Sequence, residues 1–566
     1  MKHEMTPQKV AKEYEAGLSF NNGIDLYDCV QTNENFFIGK QWEGVKSNGL
    51  PTPVFNFLKR VVLFSVANVS TDNLKLHAKP MMSHPLLTSG FDMGESLREM
   101  EALADILNEQ FTAIFEQNKM GSCIREYCRN AAVDGDGCLY TYWDPDAETG
   151  QYSRGAIRTE VLMNTQVQFG NPNSRDVQSQ PYLLIERRML VKDAKKRAKD
   201  NGGDADLVTA DEKESGDPHL DSLGGNKVTV LLRLWRDDET GTIHGYECTR
   251  NAEIRREWDL GVKLYPITWM NWDYVQDSYH GQAMITGLIP NQIFVNKLFA
   301  MSMISLMTLA YPKVVFDKTK VAKWSNRVGA AIAVNGGVDN VAKIMDPASI
   351  SPQISQFIDI AISYTQKFLG ASDVALGDTR PDNTSAIIAL QRAAATPMEL
   401  TKQNLLQSIE DLGRIYMEFM GAYYGTRYVV LPAPDGQGRT LTLLDFSILR
   451  EYPFTVELDV GASSYWSEIA SMQTLDNLLM QGKISTVEYL KRLPAGQITD
   501  RETLIAELEM QERMQMAASG LDPAAAGETQ GGVASSAEDA AALRGGPGYG
   551  NLQRTINRTG EIPKER

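Results

Sequence analysis

The sequence predicts an α+β fold, and three patterns predict it. Helical periodicity fills the first part of the 566-residue chain, a period of two takes over near residue 138, and two strongly apolar helical segments flank a short strand-bearing stretch after residue 284. Pro7 to Ile38 is polar with spaced apolar positions and reads as one outer helix. Phe55 to Val69 is an apolar helix set after Pro51 and Pro53. Met93 to Asn118 places Leu97, Leu103, Ile106, Leu107, Phe111 and Ile114 at helical spacing, and Ser122 to Asp134 is a fourth helix. The strand candidates are Cys138–Trp143, Ala156–Leu162, Tyr182–Leu190, Val228–Trp235, His244–Thr249 and Ile267–Trp269. Asp200 to Asn226 interrupts them. It holds eight acids against one base, Lys213, as far as Ser222, so it reads as a disordered excursion with too little apolar area to offset its ordering entropy.

The middle of the chain is more specific. Pro290 to Ala310 is an apolar helix closed by Pro312. Its densest stretch, Leu298 to Tyr311, is 14 residues and falls short of the roughly 20 a bilayer span needs, so it reads as a buried or subunit-packed helix. Lys313 to Met345 follows with strand-like Val314–Phe316 and Ala330–Val334 and a Gly336-Gly337 turn. A second helix starts at Ser351 and Pro352, an N-cap and N1 pair, and stops at Gly370. Ala371 to Asn383 is a polar loop. A long helix then runs from Thr384 to Tyr424 with Leu405, Ile409, Leu412, Tyr416, Phe419 and Tyr423 on one stripe, and Pro397 kinks it. Tyr428–Leu431 and Phe454–Leu458 read as strands. Ser467 to Gln481 is helical, and capping boxes at Ser485–Glu488 and Thr499–Glu502 open two more helices. From Ala517 the composition collapses to small and polar residues, as in a disordered tail.

Composition excludes several functions. Lys plus Arg is 56 and Asp plus Glu is 72, a net charge of −16. A protein that coats nucleic acid needs a basic face to displace counterions from phosphate, and this chain lacks the charge for one. Five scattered cysteines, with no CxxC, argue against a disulfide framework or a zinc knuckle and for a reducing cytoplasm; they read as small buried hydrophobes. There is no GxxxxGK[ST], HExxH or GxSxG, and the six histidines show no ligand spacing, so no cofactor, metal or catalytic residue is expected. Val133-Asp134-Gly135-Asp136-Gly137 lacks a calcium loop's closing Glu and reads as a tight turn into a strand. Met1 to Ala16 carries no apolar core of a signal peptide.

The order of elements, together with Asn35-Phe-Phe-Ile-Gly-Lys-Gln-Trp42, Pro53-Val-Phe-Asn-Phe57 and His280-Gly-Gln followed by Pro290-Asn-Gln-Ile-Phe-Val-Asn296, resembles the portal (head-to-tail connector) proteins of tailed bacteriophages over residues 10–515. The resemblance implies a ring-forming portal fold. Residues 1–283 and 425–462 would be the wing, 284–310 and 351–370 the two stem helices, and 311–350 a small α/β clip. Residues 371–383 would be the tunnel loop, 384–424 the long kinked helix, 463–516 a helical crown and 517–566 a disordered tail. It further implies a dodecameric homo-oligomer at one capsid vertex of the virion, assembled in the host bacterial cytoplasm. That ring would pass double-stranded DNA without sequence specificity during packaging and ejection, and would meet the terminase large subunit, a head–tail adaptor and the major capsid or scaffold protein. No membrane is involved.

Two sets of residues follow as candidates. From Pro312 to Lys343 the bases Lys313, Lys318, Lys320, Lys323, Arg327 and Lys343 face only Asp317 and Asp339, a local +4 in an acidic chain and a candidate docking patch of the clip. In the tunnel loop Asp373, Asp378, Arg380 and Asp382 would face DNA. Twelve copies would carry roughly −190, which suits a conduit that does not grip phosphate. The apolar stripes Ile354–Phe368 and Leu405–Phe419 are expected to pack neighbouring subunits. Two other readings fit the same chain: an enzyme of unrecognised type, such as a carboxylate-dependent hydrolase, or another virion connector component.

Overall fold

The computed structural model describes residues 5–47, 49, 51–70, 74–81, 93–150, 154–211, 226–310, 314–321, 323, 325, 327, 331–339, 341–344, 353–368, 398–432, 439–450, 454–459, 465–493, 504–505, 507–508 and 510. Two units divide the chain, Met1–Ser463 and Ser464–Arg566.

In the first unit the expected outer helix is two: α1 (Pro7–Gly23) and α2 (Leu26–Ile38). The break falls at Asp25, whose φ of 54° no helix accommodates. α3 (Phe57–Val69) is capped by Asn56, whose side chain accepts from Lys59 N. β1 (Lys75–Pro80) precedes α4 (Met93–Gln117) and α5 (Met120–Asp134). Gly135, at φ 101°, turns the chain from α5 into β2 (Asp136–Asp144), as the Asp-Gly run anticipates; a side chain there would meet Gly281 O at 2.6 Å. The other strands are β3 (Ala156–Leu162), β4 (Val167–Phe169), β5 (Leu183–Leu190), β6 (Lys227–Arg236), β7 (Ile243–Cys248), β8 (Glu253–Asp259) and β9 (Ile267–Asn271), with α6 (Val191–Asp200) between β5 and β6. They form two antiparallel sheets, β3-β2-β9 and β4-β5-β6-β7-β8.

Disorder from residue 200 does not hold over 200–211. Asp204 N donates to Glu253 O, Ala205–Leu207 form a 3-10 turn, and Asp211 Oδ2 accepts from both the amide and the hydroxyl of Thr229. Buried Ala205 and Val208 supply the apolar anchor that composition averaged away. The rest of the acidic excursion, 212–225, lies outside the described residues.

The chain then leaves the sheets as α7 (Ile289–Ala310), passes β10 (Val314–Phe316) and β11 (Ala342–Ile344), and returns as α8 (Gln353–Phe368). β10 pairs antiparallel with β11, so the strand expected at Ala330–Val334 is not one: its described residues carry no ladder, and Asn335 N bonds Lys320 O instead. α9 (Glu399–Phe419) runs on into a π turn, Met420–Tyr424. Its stripe, Leu405, Ile409, Leu412, Tyr416 and Phe419, is buried with α3, α5 and β2 in the chain's own core, which corrects the expectation that it packs a neighbouring subunit. β12 (Thr426–Pro432) pairs with β13 (Arg439–Asp445), and β14 (Phe454–Asp459) returns to pair with β1. Pro397 and the tunnel-loop residues lie outside the described residues.

The second unit holds α10 (Tyr465–Met480) and α11 (Thr486–Arg492). Gly482, at φ 66°, ends the first: its amide bonds Leu479 O while Lys483 N bonds Leu478 O. Ser485 caps the second by accepting from Glu488 N at 3.1 Å, as its capping box predicts. The Thr499–Glu502 box lies outside the described residues.

Three of the five free cysteines are buried, and burial pushes Cys128 up to about 12. Cys29 is exposed, so the expectation of a buried hydrophobe fails there.

Candidate assembly and docking site

The paired helices α7 and α8 form an antiparallel hairpin. Asn291, near the start of α7, donates to Thr365 Oγ1, near the end of α8, at 3.1 Å. The first helix is the more apolar of the two. Among the 22 residues of α7 only Lys297 is charged. A helix apolar on every side normally sits in a core. Here Phe294, Met301, Met303, Leu306 and Met307 are exposed, Met301 at 58%. On α8, Phe357, Ile360 and Tyr364 continue the exposed surface at i, i+3 and i+7. Among the described residues no helix is long and apolar enough to cross a membrane. Covering the exposed half of each such side chain would contribute about 1 kcal/mol.

The hairpin's base is fixed by amides. Gln292 Nε2 donates to Phe55 O at 2.7 Å and to Asn296 Oδ1 at 3.0 Å, and Asn296 Nδ2 donates to Gln41 Oε1 at 2.6 Å. The Phe55 and Phe299 rings stack at 3.8 Å. Gln292 and Asn296 are buried, so each bond replaces one that water would make. Sequence reasoning used these very phrases as a resemblance and missed that they touch. The available signal was a pair of amides at i and i+4 in an otherwise apolar helix.

The segment leading into α7 is held by a second network. Asp136 is fully buried at the start of β2 and accepts from Gly281 N at 2.7 Å, Asn271 Nδ2 at 2.7 Å and Asn164 Nδ2 at 3.3 Å, while His280 Nδ1 lies 2.6 Å away. His280 Nε2 is 3.2 Å from Asn21 Oδ1 of α1. Spacing along the chain gave no hint of it, because its members are up to 259 residues apart.

At the far end of the hairpin lies the basic patch. Lys318, Lys323 and Arg327 are exposed and Lys320 is half-buried; Lys313 lies outside the described residues. Among the described residues, none of these four has an acid within salt-bridge distance. Asp317 Oδ1 instead accepts from Thr319 N at 2.9 Å and Thr319 Oγ1 at 2.6 Å. Those bonds hold its carboxyl below the usual range. No described group of three His, Cys, Asp or Glu residues is placed to hold a metal.

This hairpin, with the strands from β5 onward and the long helix after it, falls inside a family match. Residues 185–431, somewhat under half of the chain, match the family model described as Phage P22-like portal protein. Over those residues the chain is similar to the phage portal proteins. A search among curated proteins finds no match. Portal proteins are structural, non-enzymatic components of the virion at the junction of head and tail, and the mixed helix and sheet architecture agrees with the family. The match spans β5 to β12 and so includes the hairpin, the basic patch and α9.

Proposed function

We propose that the chain forms a closed ring of identical copies, a dodecamer at one capsid vertex, which is the channel for DNA packaging and ejection and the platform on which the terminase large subunit and a tail adaptor dock. The observation that carries this reading is the exposed apolar surface of α7 and α8. Repetition of one heterologous contact around an axis buries that surface in every copy. The hairpins would then line the channel wall, with 311–350 as the protruding clip and 371–383 as the tunnel loop. The acidic balance supports a bore that lets a duplex slide, since a basic bore would bind phosphate and stall it. Energy for packaging would come from the separate motor. Lys318, Lys323 and Arg327, exposed, and half-buried Lys320, with no acid within salt-bridge distance among the described residues, favour an acidic docking partner. The deciding experiment is native mass measurement with negative-stain imaging of the purified chain. A ring of about twelve copies with a central hole is the expected result, and a compact monomer at all concentrations would end the proposal.

A further inference from the structure

A cleft of about 660 Å³ opens between β2 and the five-stranded sheet, away from the hairpin. Buried Glu247 lies in it, and Arg197 Nε reaches both of its carboxylate oxygens at 3.0 Å. Arg255 stands directly opposite Glu247 in the β7–β8 pairing. It has neither an acid within salt-bridge distance nor a hydrogen-bond partner for its guanidinium among the described residues. Two guanidinium groups thus face one carboxylate, and Arg197 holds it. The third, Arg187, is paired with Glu160. Arg255 is half-buried and stacked on Trp258, 3.9 Å from the ring centre. Stacking satisfies its flat faces and leaves its in-plane donors directed outward from the ring pair. Across the cleft Trp143 and Tyr423 stack at 5.3 Å and 13°, a flat apolar wall.

The charges around this guanidinium narrow the ligand. Asp146 and Asp259 also line the cleft, and both are exposed, so a polyanion such as a DNA strand would be repelled there. A single anion reaching past them meets donors with no other acceptor, in partial burial, where a charge-assisted bond is strong. A flat group attached to that anion meets the aromatic wall.

We propose that this cleft binds a carboxylate carried beside an aromatic ring, with Arg255 as the anchor and Trp143, Tyr423 and Trp258 as the walls. The carboxylate could be a chain terminus or an acidic side chain. This inference does not depend on ring formation or DNA passage. Calorimetric titration of the full chain with three probes tests it: N-acetyl-phenylalanine, N-acetyl-aspartyl-phenylalanine amide and the neutral N-acetyl-phenylalanine amide. At least one carboxylate probe should bind about tenfold more tightly than the amide, the order expected of a charge-assisted hydrogen bond. The terminal and side-chain probes tell the two sources apart. Arg255→Gln should reduce binding to the level of the amide, while Arg256→Gln, at an exposed neighbour paired with Glu253, should leave it unchanged. Equal binding of all three probes by the wild-type chain, or no binding of any, overturns the proposal without recourse to a variant. Full affinity in a folded Arg255→Gln chain overturns it as well.

Discussion

His280 Nδ1 lies 2.6 Å from the carboxylate of Asp136, both buried, where the chain leaves the sheets for the hairpin. Three more donors converge on the same carboxylate, from Gly281, Asn271 and Asn164. Asp136→Ala would remove the acceptor of the Gly281 amide and one of the two acceptors of each asparagine amide, which keep only Tyr279 O and Asp134 O. Losing one partner of such a set costs about 3–5 kcal/mol. Denaturant unfolding of the variant should show a loss of that order, and a loss below about 1 kcal/mol would mean that the network does not hold the junction.

The exposed face of the hairpin predicts a separation of folding from assembly. Met301, Leu306 and Met307 contribute little to the chain's own core. Replacing all three by Ser should remove rings in sedimentation while the circular dichroism and thermal midpoint of the free chain stay near wild type. Persistence of rings would place the intersubunit contact elsewhere.

Charge reversal in the basic patch addresses docking. Lys318→Glu, Lys320→Glu and Lys323→Glu together change the local charge by six per copy, in side chains with no ion pair among the described residues. Rings should form normally, and packaging in a complementation assay should fail. Normal packaging would leave the patch as a solvated surface.

Asp373, Asp378, Arg380 and Asp382, proposed to form a tunnel loop, lie outside the described residues, so their test comes from sequence. Deletion of residues 378–382 should leave rings intact and lower the DNA retained by filled capsids. Unchanged retention would remove the loop from the mechanism.

Asp134 gives a pH dependence. Burial raises its carboxyl to about 7; Arg129 opposes the shift, while Glu34 and Asp136 add to it. The folded chain therefore binds a proton that the unfolded chain has released above roughly pH 4. The stabilisation from a protonated Asp134 is complete below that pH and is lost as pH rises through about 7. With partial exposure discounted, this amounts to about 1–2 kcal/mol. Asp134→Asn should flatten the decline in urea-unfolding free energy between pH 5 and 8. A decline as steep as wild type would assign it to other groups.

The elements of this protein were largely legible in its sequence because each is encoded locally. Period two marked β2, β3, β5, β6, β7 and β9; Pro290 and Pro352 marked the hairpin helices; Gly482 and Ser485 marked a helix end and a helix start. The strands β1, β4, β8, β11 and β13 and the helix α6 were missed. Lys75–Pro80 and Glu253–Asp259 are charged, and their pairing comes from partners rather than from their own pattern. The stripe on α9 was legible as buried, but not against what: periodicity gives a face, and only packing says whether it meets the chain's own sheet or another copy.

By itself the sequence determined the acidic charge, the order of helices and strands, the apolar character of α7 and the portal resemblance that the family match supports. Tertiary structure alone decided that α7 leaves its apolar side chains uncovered, that Gln41, Gln292 and Asn296 clamp its base, and that Asp136 and His280 meet across 144 residues. The physical reason is the same in each case. Helix and strand periods are set by bonds between near neighbours, whereas burial of a carboxylate or exposure of a methionine depends on which distant segments fold against it.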